Sequence, residues 1–320
     1  MSARRLLRPA GNSLGGERNI AWLLTDEGVL TEAGEPSSGV PFNGQPVTAG
    51  AARDGRVAFI INEHEVWTRT RGRWRKDVST DLDLFSLAWT DDGHVLVGTE
   101  QARLAAVDDG TLRFLSSFDD VAERPLWDTP YDAPPELRSL AAGVDGTLYA
   151  NVHVGWIVRS RDRGKTWTSI RNGLDRDVHM VAAHPSRPAT VFAATAVGFH
   201  ISHDYGDRFV RRREGMPYHY QRAVACFPER DVYLASTAMH DGGEGAQLYR
   251  SEDEGRHWTR VSGLPDVVNR NLNTHQVAAL VGGRALAVIR DTSLYVSEDW
   301  GVTWREVASQ LPMVNAILVV

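Results

Sequence analysis

Histidine offers the widest chemistry in this chain, because imidazole binds transition metals and exchanges protons near neutral pH. The chain has eleven histidines. None belongs to a local metal-binding motif, since there is neither a His-Glu-x-x-His sequence nor a His-x-His pair. Two of them nevertheless share a context, because His179 and His275 each stand two residues before a Val-Ala-Ala sequence. A context shared over such a distance indicates a structural repeat, and the repeat must position the side chains.

Four segments of eight residues carry that repeat, with Ser, Asp, Gly and an aromatic residue at fixed positions. They are SRDRGKTW (160–167), SHDYGDRF (202–209), SEDEGRHW (251–258) and SEDWGVTW (297–304). Their aspartates are 42, 49 and 46 residues apart, which is the length of a four-stranded propeller blade. Ser and Asp can bond the backbone of a tight turn, Gly can take a positive φ, and the aromatic ring can fill a core. We interpret the segment as a fastener of a hairpin and not as a ligand site.

The pattern resembles the Asp-box, or BNR, repeat, Ser/Thr-x-Asp-x-Gly-x-Thr-Trp/Phe. The first and last copies match in full, whereas Arg208 and His257 replace the threonine in the second and third. The resemblance implies an all-β chain that forms a single β-propeller domain over residues 1–320. In members of this family that have activity, the site lies around the central axis on the face where the inner strands begin, called the top face here.

Four units that carry the box begin near Arg138, His179, Arg222 and His275. Two earlier units, 48–76 and 85–118, have strand patterns without the box. Residues 314–320 read as an inner strand, and 20–25 and 28–32 read as a second and third strand. We therefore expect seven four-stranded blades, closed by pairing of the N- and C-terminal strands, because closure removes exposed sheet edges. A six-bladed ring with unpaired ends is the alternative.

Six histidines from different blades are expected on the top face. They are His64, His153, His179, His219, His240 and His275. Three fall in loops between second and third strands, and three fall at or just before inner strands. Such a set could hold Fe, Zn, Cu or Mn with an open position for water, dioxygen or substrate. Carotenoid-cleaving oxygenases, which hold iron with four histidines on a propeller axis, offer an architectural analogy. The alternative is that these histidines hydrogen-bond or act as acids and bases without a metal.

Tyr218, Tyr220 and Arg222 form a second candidate group, just before an inner strand. Tyrosine and histidine together could serve as acid and base for proton abstraction next to a carboxylate, as in propeller polysaccharide lyases. Packing in the rim is the other interpretation of these tyrosines.

The longest insertion between blades, residues 116–137, supplies the fourth catalytic candidate, Asp128. The insertion also contains Trp127, Tyr131, Asp132 and four prolines. Stiff aromatic loops of this length often cover a pocket. A surface elaboration that packs on the rim is an equally good interpretation.

Composition limits the partners. A net charge of -6 and a pI near 6.0 argue against nucleic-acid binding through a basic surface, and favour a small-molecule partner.

The single cysteine, Cys226, excludes an intramolecular disulfide. No apolar run has the length of a membrane span, and residues 1–16 lack the apolar core of a signal peptide, so a cytoplasmic protein is expected. Nothing predicts a nucleotide cofactor.

These features favour an enzyme with a histidine-lined pocket at the centre of the top face that acts on a small organic substrate. A metal-dependent oxidoreductase or a lyase is preferred. One alternative is a non-enzymatic propeller that binds a protein or ligand, as sortilin-type receptors and photosystem II assembly factors do. The second alternative is a glycoside hydrolase. Sialidases carry Asp boxes, but the Arg-Ile-Pro signature of their arginine triad is not found in this sequence.

Overall fold

A computed structural model describes residues 20–130 and 133–320. These residues form seven antiparallel sheets, six with four strands and one with three. Helix in this part of the chain is limited to α1 (Ser116–Asp119) and three short 3₁₀ turns at Glu100–Ala102, Arg124–Leu126 and Val281–Gly283. None of these helices is long and apolar enough to cross a membrane. Residues 1–16, on which the expectation about a signal peptide rests, lie outside the described residues, and so do Tyr131 and Asp132.

Each of the four-stranded blades follows the chain from an inner strand to an outer one. The closing blade starts with β1 (Ala21–Thr25) and β2 (Gly28–Leu30). Blade 1 contains β3 (Val47–Arg53), β4 (Arg56–Ile61), β5 (Glu65–Thr70) and β6 (Arg73–Ser79). Blade 2 contains β7 (Leu84–Trp89), β8 (Val95–Thr99), β9 (Arg103–Asp108) and β10 (Thr111–Phe114). Blade 3 contains β11 (Leu137–Ala142), β12 (Leu148–Val152), β13 (Ile157–Ser160) and β14 (Thr168–Ile170).

The remaining blades follow the same order. Blade 4 contains β15 (Val178–Ala183), β16 (Val191–Thr195), β17 (Gly198–Ser202) and β18 (Val210–Arg212). Blade 5 contains β19 (Val224–Cys226), β20 (Tyr233–Thr237), β21 (Gln247–Ser251) and β22 (Thr259–Arg260). Blade 6 contains β23 (Val277–Ala279), β24 (Ala285–Ile289), β25 (Ser293–Ser297) and β26 (Arg305–Ala308). The last strand, β27 (Val314–Val319), returns to the closing blade.

The closing blade joins the two ends of the described chain. Strand β27 is its inner strand and pairs with β1, from Ala21 opposite Val319 to Thr25 opposite Val314. Strand β1 pairs in turn with β2, and a single bridge from Leu30 to Pro36 occupies the place of a fourth strand. The predicted all-β fold, its seven blades and their closure by terminal strands are confirmed.

The core is divided into seven apolar clusters, each of which lies between two neighbouring blades. One cluster joins the closing blade to blade 6 and another joins it to blade 1, so the ring is continuous. Burial of about 25 cal/mol per Å² of apolar surface makes these clusters the main stabilising contribution.

The Asp-box turns join the third and fourth strands of blades 3 to 6, on the face opposite the top. In blade 3, Ser160 Oγ accepts the Gly164 N–H at 2.8 Å and donates to Asp162 Oδ1 at 2.8 Å. Asp162 also accepts the N–H and the hydroxyl of Thr166, at 2.9 and 2.6 Å. The turn requires a left-handed Gly164, with φ of 81°. The box is therefore a backbone fastener, as its chemistry predicts.

Five of the seven inner strands carry a β-bulge near their start on the top face. The extra residues are Thr48, Phe85, Arg138, His179 and Asn315. A bulge adds one residue to a strand and turns its side chain away from the regular alternation. The bulged residues lie near the start of their inner strands, at the upper end of the propeller.

Candidate functional site

The position at which five inner strands are bulged has an equivalent in the other two blades, two residues before Val224 and two residues before Val277. The seven members of this ring are Asn315, Thr48, Phe85, Arg138, His179, Arg222 and His275. Arg222 and His275 occupy it in blades 5 and 6, just ahead of β19 and β23. Two arginines, Arg138 and Arg222, therefore occupy the same position in their blades as His179 and His275 do. Arg138, His179 and Arg222 come from three successive blades.

His179 is paired with a carboxylate that the sequence analysis missed. Its Nδ1 lies 2.5 Å from the carbonyl oxygen of Gln221, which can only accept, so Nδ1 carries a proton. Its Nε2 lies 3.1 Å from Asp177 Oδ1. The two atoms are close, although they do not have hydrogen-bond geometry. His179 is fully buried, whereas 29% of the Asp177 side chain is exposed, so Asp177 is the member that a ligand can reach.

The electrostatics of this pair keep Asp177 ionised. Burial alone would raise the pKa of Asp177, but the adjacent His179, His153 and Arg138 outweigh it and hold that pKa below its usual value. Two residues earlier, Asp175 accepts the Asp177 N–H at 2.9 Å, and burial raises the pKa of Asp175. Neighbouring carboxyl groups with opposite shifts are a common arrangement for an acid and a base.

His153 joins the same cluster from the loop after β12. Its Nε2 lies 2.6 Å from Arg138 Nη1 and 3.8 Å from Asp177 Oδ1, and its ring centroid is 5.9 Å from that of His179. Burial, assisted by Arg138, lowers the pKa of His153 to about 3. The ring is therefore neutral at physiological pH, and its Nε2 accepts from the guanidinium.

Tyr220 and Arg222 extend the cluster towards blades 5 and 6. The Tyr220 ring lies 4.6 Å from the His179 ring, and burial raises the pKa of the Tyr220 phenol. Arg222 donates to the Tyr220 hydroxyl at 3.2 Å and to Asn273 Oδ1 at 3.0 Å. Two of the predicted catalytic residues, Tyr220 and Arg222, thus contact one another and adjoin the His179–Asp177 pair.

Beyond Arg222 lies a polar pocket of about 260 Å³ on the same face. Its lining consists almost wholly of amide, guanidinium and carboxylate side chains: Arg222, Arg270, Asp241, Asn269, Asn271 and Asn273. Such planar groups can bond pairs of adjacent hydroxyls on one ligand. The pocket and the Asp177 cluster are connected through Arg222 and Tyr220.

Three predicted metal ligands lie apart from this cluster. His64 bonds the Leu82 carbonyl oxygen through Nδ1, at 3.1 Å. His219 lies 3.3 Å from Arg213 Nη1. His240 is exposed and sits within 3.5 Å of Asp241. Each makes local contacts within its own loop region.

The last two predicted catalytic residues lie in loops beside the cluster, and Asp128 is joined to Asp177 through backbone bridges to Val154. Asp128 is exposed, and its backbone N–H bonds the Val154 carbonyl oxygen at 3.0 Å. Tyr218 is half-buried and packs near Gly245 in the neighbouring loop. His275 differs from all of these, because it lines the central channel.

Two groups in the described residues place three potential metal-ligating atoms within 4.8 Å of one another: His153 with Asp177 and His179, and Glu63 with His64 and Asp83. Neither contains three histidines. In the first, the Arg138 guanidinium already contacts His153 Nε2, and its positive charge opposes a cation at that nitrogen. Metal binding by the six histidines stays a prediction.

A family model for the BNR-Asp box repeat matches residues 157–170, which include the first complete box. The chain is a seven-bladed β-propeller that carries Asp-box repeats. Among curated proteins, the propeller is similar to a xyloglucanase of Hypocrea jecorina, with 26% identity over 195 residues that make up 59% of this chain and 21% of the relative. A probable oligoxyloglucan-reducing end-specific xyloglucanase of Neosartorya fischeri is 30% identical over 162 residues, 46% of this chain and 19% of the relative. The propeller thus spans about a fifth of the length of these relatives.

Solved structures share its fold at low sequence identity. The GH74 enzyme of Niastella koreensis has a TM-score of 0.59 and 14% identity, over 82% of the propeller and 45% of that chain. A structure described as YCF48 bound to D1 peptide has a TM-score of 0.55 and 14% identity, over 92% of the propeller and 86% of that chain.

Sequence reasoning missed Asp175, Asp177 and Asn273, and it placed Arg138 at the start of a blade without making it a site candidate. Arg138 could have been found, because it stands two residues before Leu-Ala-Ala, as His179 stands before Val-Ala-Ala. Asp177 lies two residues before His179, a spacing that places side chains on one side of an extended backbone. Asn273 gave no signal, because its loop has no counterpart in the other blades.

Proposed function

We propose that the top face of the propeller binds an oligosaccharide and hydrolyses a glycosidic bond, with Asp177 as the catalytic base. The observation that carries this proposal is the continuous polar surface from the asparagine-lined pocket, through Arg222 and Tyr220, to the ionised Asp177. The curated relatives are xyloglucanases by name, which favours a glycoside hydrolase over an oxygenase or a lyase.

In this proposal, the pocket beside Arg222 holds one sugar unit by bonds to its hydroxyls. Its volume, about 260 Å³, is just below the range usual for ligand pockets, which limits it to one small unit. The half-buried Tyr220 offers an aromatic face next to it, on which a second sugar ring can pack. These contacts bring the bond between the two rings towards Asp177.

Glycoside hydrolysis needs one carboxylate and one carboxylic acid. Asp177 fills the first role, because its pKa is held low by His179. Asp175 is the proposed acid, because burial raises its pKa and so keeps the proton to a higher pH. His179 positions Asp177 and does not contact the sugar, since its side chain is fully buried.

The test is an assay of reducing-end release from xyloglucan oligosaccharides by the purified propeller. Asp177→Asn should lower kcat by about a hundredfold or more, because the amide cannot take a proton. Asp175→Asn should remove the alkaline limb of the pH–rate profile, which reports the acid. Asp204→Asn, in an Asp-box turn on the opposite face, is the matched control and should keep full turnover per folded molecule. Wild-type kcat in Asp177→Asn, or no hydrolysis by the wild type, would overturn the proposal.

A second function is favoured by one observation: the fold match to the structure described as YCF48 bound to D1 peptide covers 92% of the propeller and 86% of that chain. Arg138 and Arg222 on the top face would then hold acidic or carbonyl groups of a polypeptide. The two functions separate in one experiment. Peptide capture that Arg222→Ala abolishes, in a protein without glycosidase activity, would favour the binding function.

A further inference from the structure

The upper wall of the central channel carries two polar side chains, His275 and Ser86, among small and apolar ones, and the Ser86 hydroxyl is already bonded to the Leu137 carbonyl oxygen. The cavity has a volume of about 500 Å³ and is lined from three inner strands, by residues that include Ala51, Leu87, Leu140 and Ala142. His275, from blade 6, completes the lining at the top. Arg53 and Asp54, 3.8 Å apart, lie at the lower end.

His275 has an uncommon backbone conformation. Its φ is 64°, in the left-handed region that non-glycine residues rarely adopt. Both neighbours are fixed: Thr274 donates its hydroxyl to the carbonyl oxygen of His179 at 3.2 Å, and Gln276 donates to Asp291 at 2.8 Å and to the Val314 carbonyl oxygen at 2.7 Å. The His275 carbonyl oxygen accepts the Ile317 N–H at 2.8 Å. Strained residues persist where their surroundings hold them in place, and they cluster at ligand sites.

The half-buried imidazole lines the channel and has no hydrogen-bond partner among the described residues. Burial lowers the pKa of His275 to about 4, so the ring is neutral near pH 7. A neutral imidazole offers one donor and one acceptor. It can satisfy a hydroxyl, but it does not compensate the burial of a charged group.

We infer that the central channel is a second binding site, for an uncharged small molecule with an apolar body and a hydroxyl group that bonds His275. The alanine and leucine side chains of the wall contact the apolar body, and Phe85 and Trp89, which also line the cavity, favour an aromatic one. This site lies beneath the polar cluster and uses none of its carboxylates. It is therefore independent of the proposed glycosidase function.

The test uses 4-fluorophenol as the probe and fluorobenzene as its partner without the hydroxyl, both followed by ¹⁹F NMR with the full chain. The wild type should bind one equivalent of 4-fluorophenol saturably. Fluorobenzene should bind about tenfold more weakly, the effect of one buried hydrogen bond. Neither probe should change the rate at which the propeller hydrolyses oligosaccharides, because the channel is separate from the proposed catalytic residues.

Two variants separate the parts of the site. His275→Gly removes the imidazole at a left-handed position that glycine tolerates, and should abolish the preference for the hydroxyl while both probes still bind. Ala142→Leu should fill the channel and prevent binding of both, with Ala51→Leu as the replacement if the first variant does not fold. Absence of saturable binding to the wild type, ordered water alone in the channel, or an unchanged hydroxyl preference in His275→Gly would overturn the inference.

Discussion

Three histidines of the propeller are held neutral by burial. Burial lowers the pKa of His153 to about 3 and the pKa values of His200 and His275 to about 4. A folded-state pKa below the unfolded value of about 6.5 means that the unfolded chain takes up a proton first as pH falls. These residues therefore destabilise the fold progressively between pH 6.5 and about 4. His257 has the opposite effect on stability as pH falls, because Asp253 raises the pKa of its exposed ring.

His200 provides the cleanest test of this titration, because it lies outside both proposed sites. Replacement by Gln removes the titrating group and keeps a donor for the Gly198 carbonyl oxygen. Between pH 7.5 and 4.5, the wild type should lose about 2 kcal/mol more of its free energy of unfolding than His200→Gln does. Urea unfolding at the two pH values measures the difference.

The control is His257→Gln, which should show the reverse trend. Protonated His257 stabilises the fold below its unfolded pKa, and this contribution is lost as pH rises through the raised folded pKa. His257→Gln should therefore lower the free energy of unfolding more in acid than at neutral pH. Parallel pH curves for the wild type and His200→Gln would show that the imidazole of His200 is not held neutral.

At the scale of elements, the Asp-box turns are the best-defined units. All four place the residue before the glycine in the left-handed region, with φ between 60° and 62° at Arg163, Tyr205, Glu254 and Trp300. All four bury the terminal aromatic ring between blades. The number of bonds to the aspartate differs, however, because the second copy has Arg208 where the first has Thr166. Asp204 thus lacks the hydroxyl bond that Asp162 accepts at 2.6 Å.

This difference predicts unequal costs for the same substitution. Asp162→Ala should lower the free energy of unfolding by about 1 kcal/mol more than Asp204→Ala does, which is the usual net contribution of one hydrogen bond. Thermal or denaturant unfolding of the two variants checks it, and Thr166→Val in the first box should close the gap. Equal losses in both variants would mean that the hydroxyl bond contributes nothing to the turn.

The sequence predicted the blades because each Asp box marks one turn between third and fourth strands. It predicted the site only in part. A bulge inserts one residue near the start of an inner strand, and the periodicity of a strand does not show where that residue falls. Tyr220, Arg222, His153 and His179 were found through their residue types, whereas His64, His219 and His240 occupy the predicted face without approaching the cluster. A face of a propeller is wide, so two side chains that are correctly assigned to the same face can still be too far apart to contact one another.

At the scale of the whole molecule, the ring depends on its closing blade. The side chains of β27 enter two of the seven apolar clusters, those shared with blade 6 and with blade 1. Asn315 adds bonds to Asp26 Oδ1 at 2.9 Å and to the Val47 carbonyl oxygen at 3.1 Å. The strand therefore holds three blades together.

A chain that ends at Met313 should lose its cooperative unfolding transition. The deletion removes several buried apolar side chains of about 1.5–3 kcal/mol each and exposes the edge of β1. Calorimetry and solubility provide the measurement, and a chain that lacks only Val320 is the control. A sharp transition in the longer truncation would show that the other six blades form a stable open ring.

The pairing of β1 with β27 also determines how the ring responds to tension. Ala21 lies opposite Val319, so the free ends of both strands leave the ladder at the same edge. A force that separates these ends acts perpendicular to the strands. The hydrogen bonds between β1 and β27 then break one after another, starting at Ala21 and Val319. The other blades are each formed by one continuous segment and offer no comparable seam. The contact that closes the ring at equilibrium is thus the place where a mechanical load opens it first.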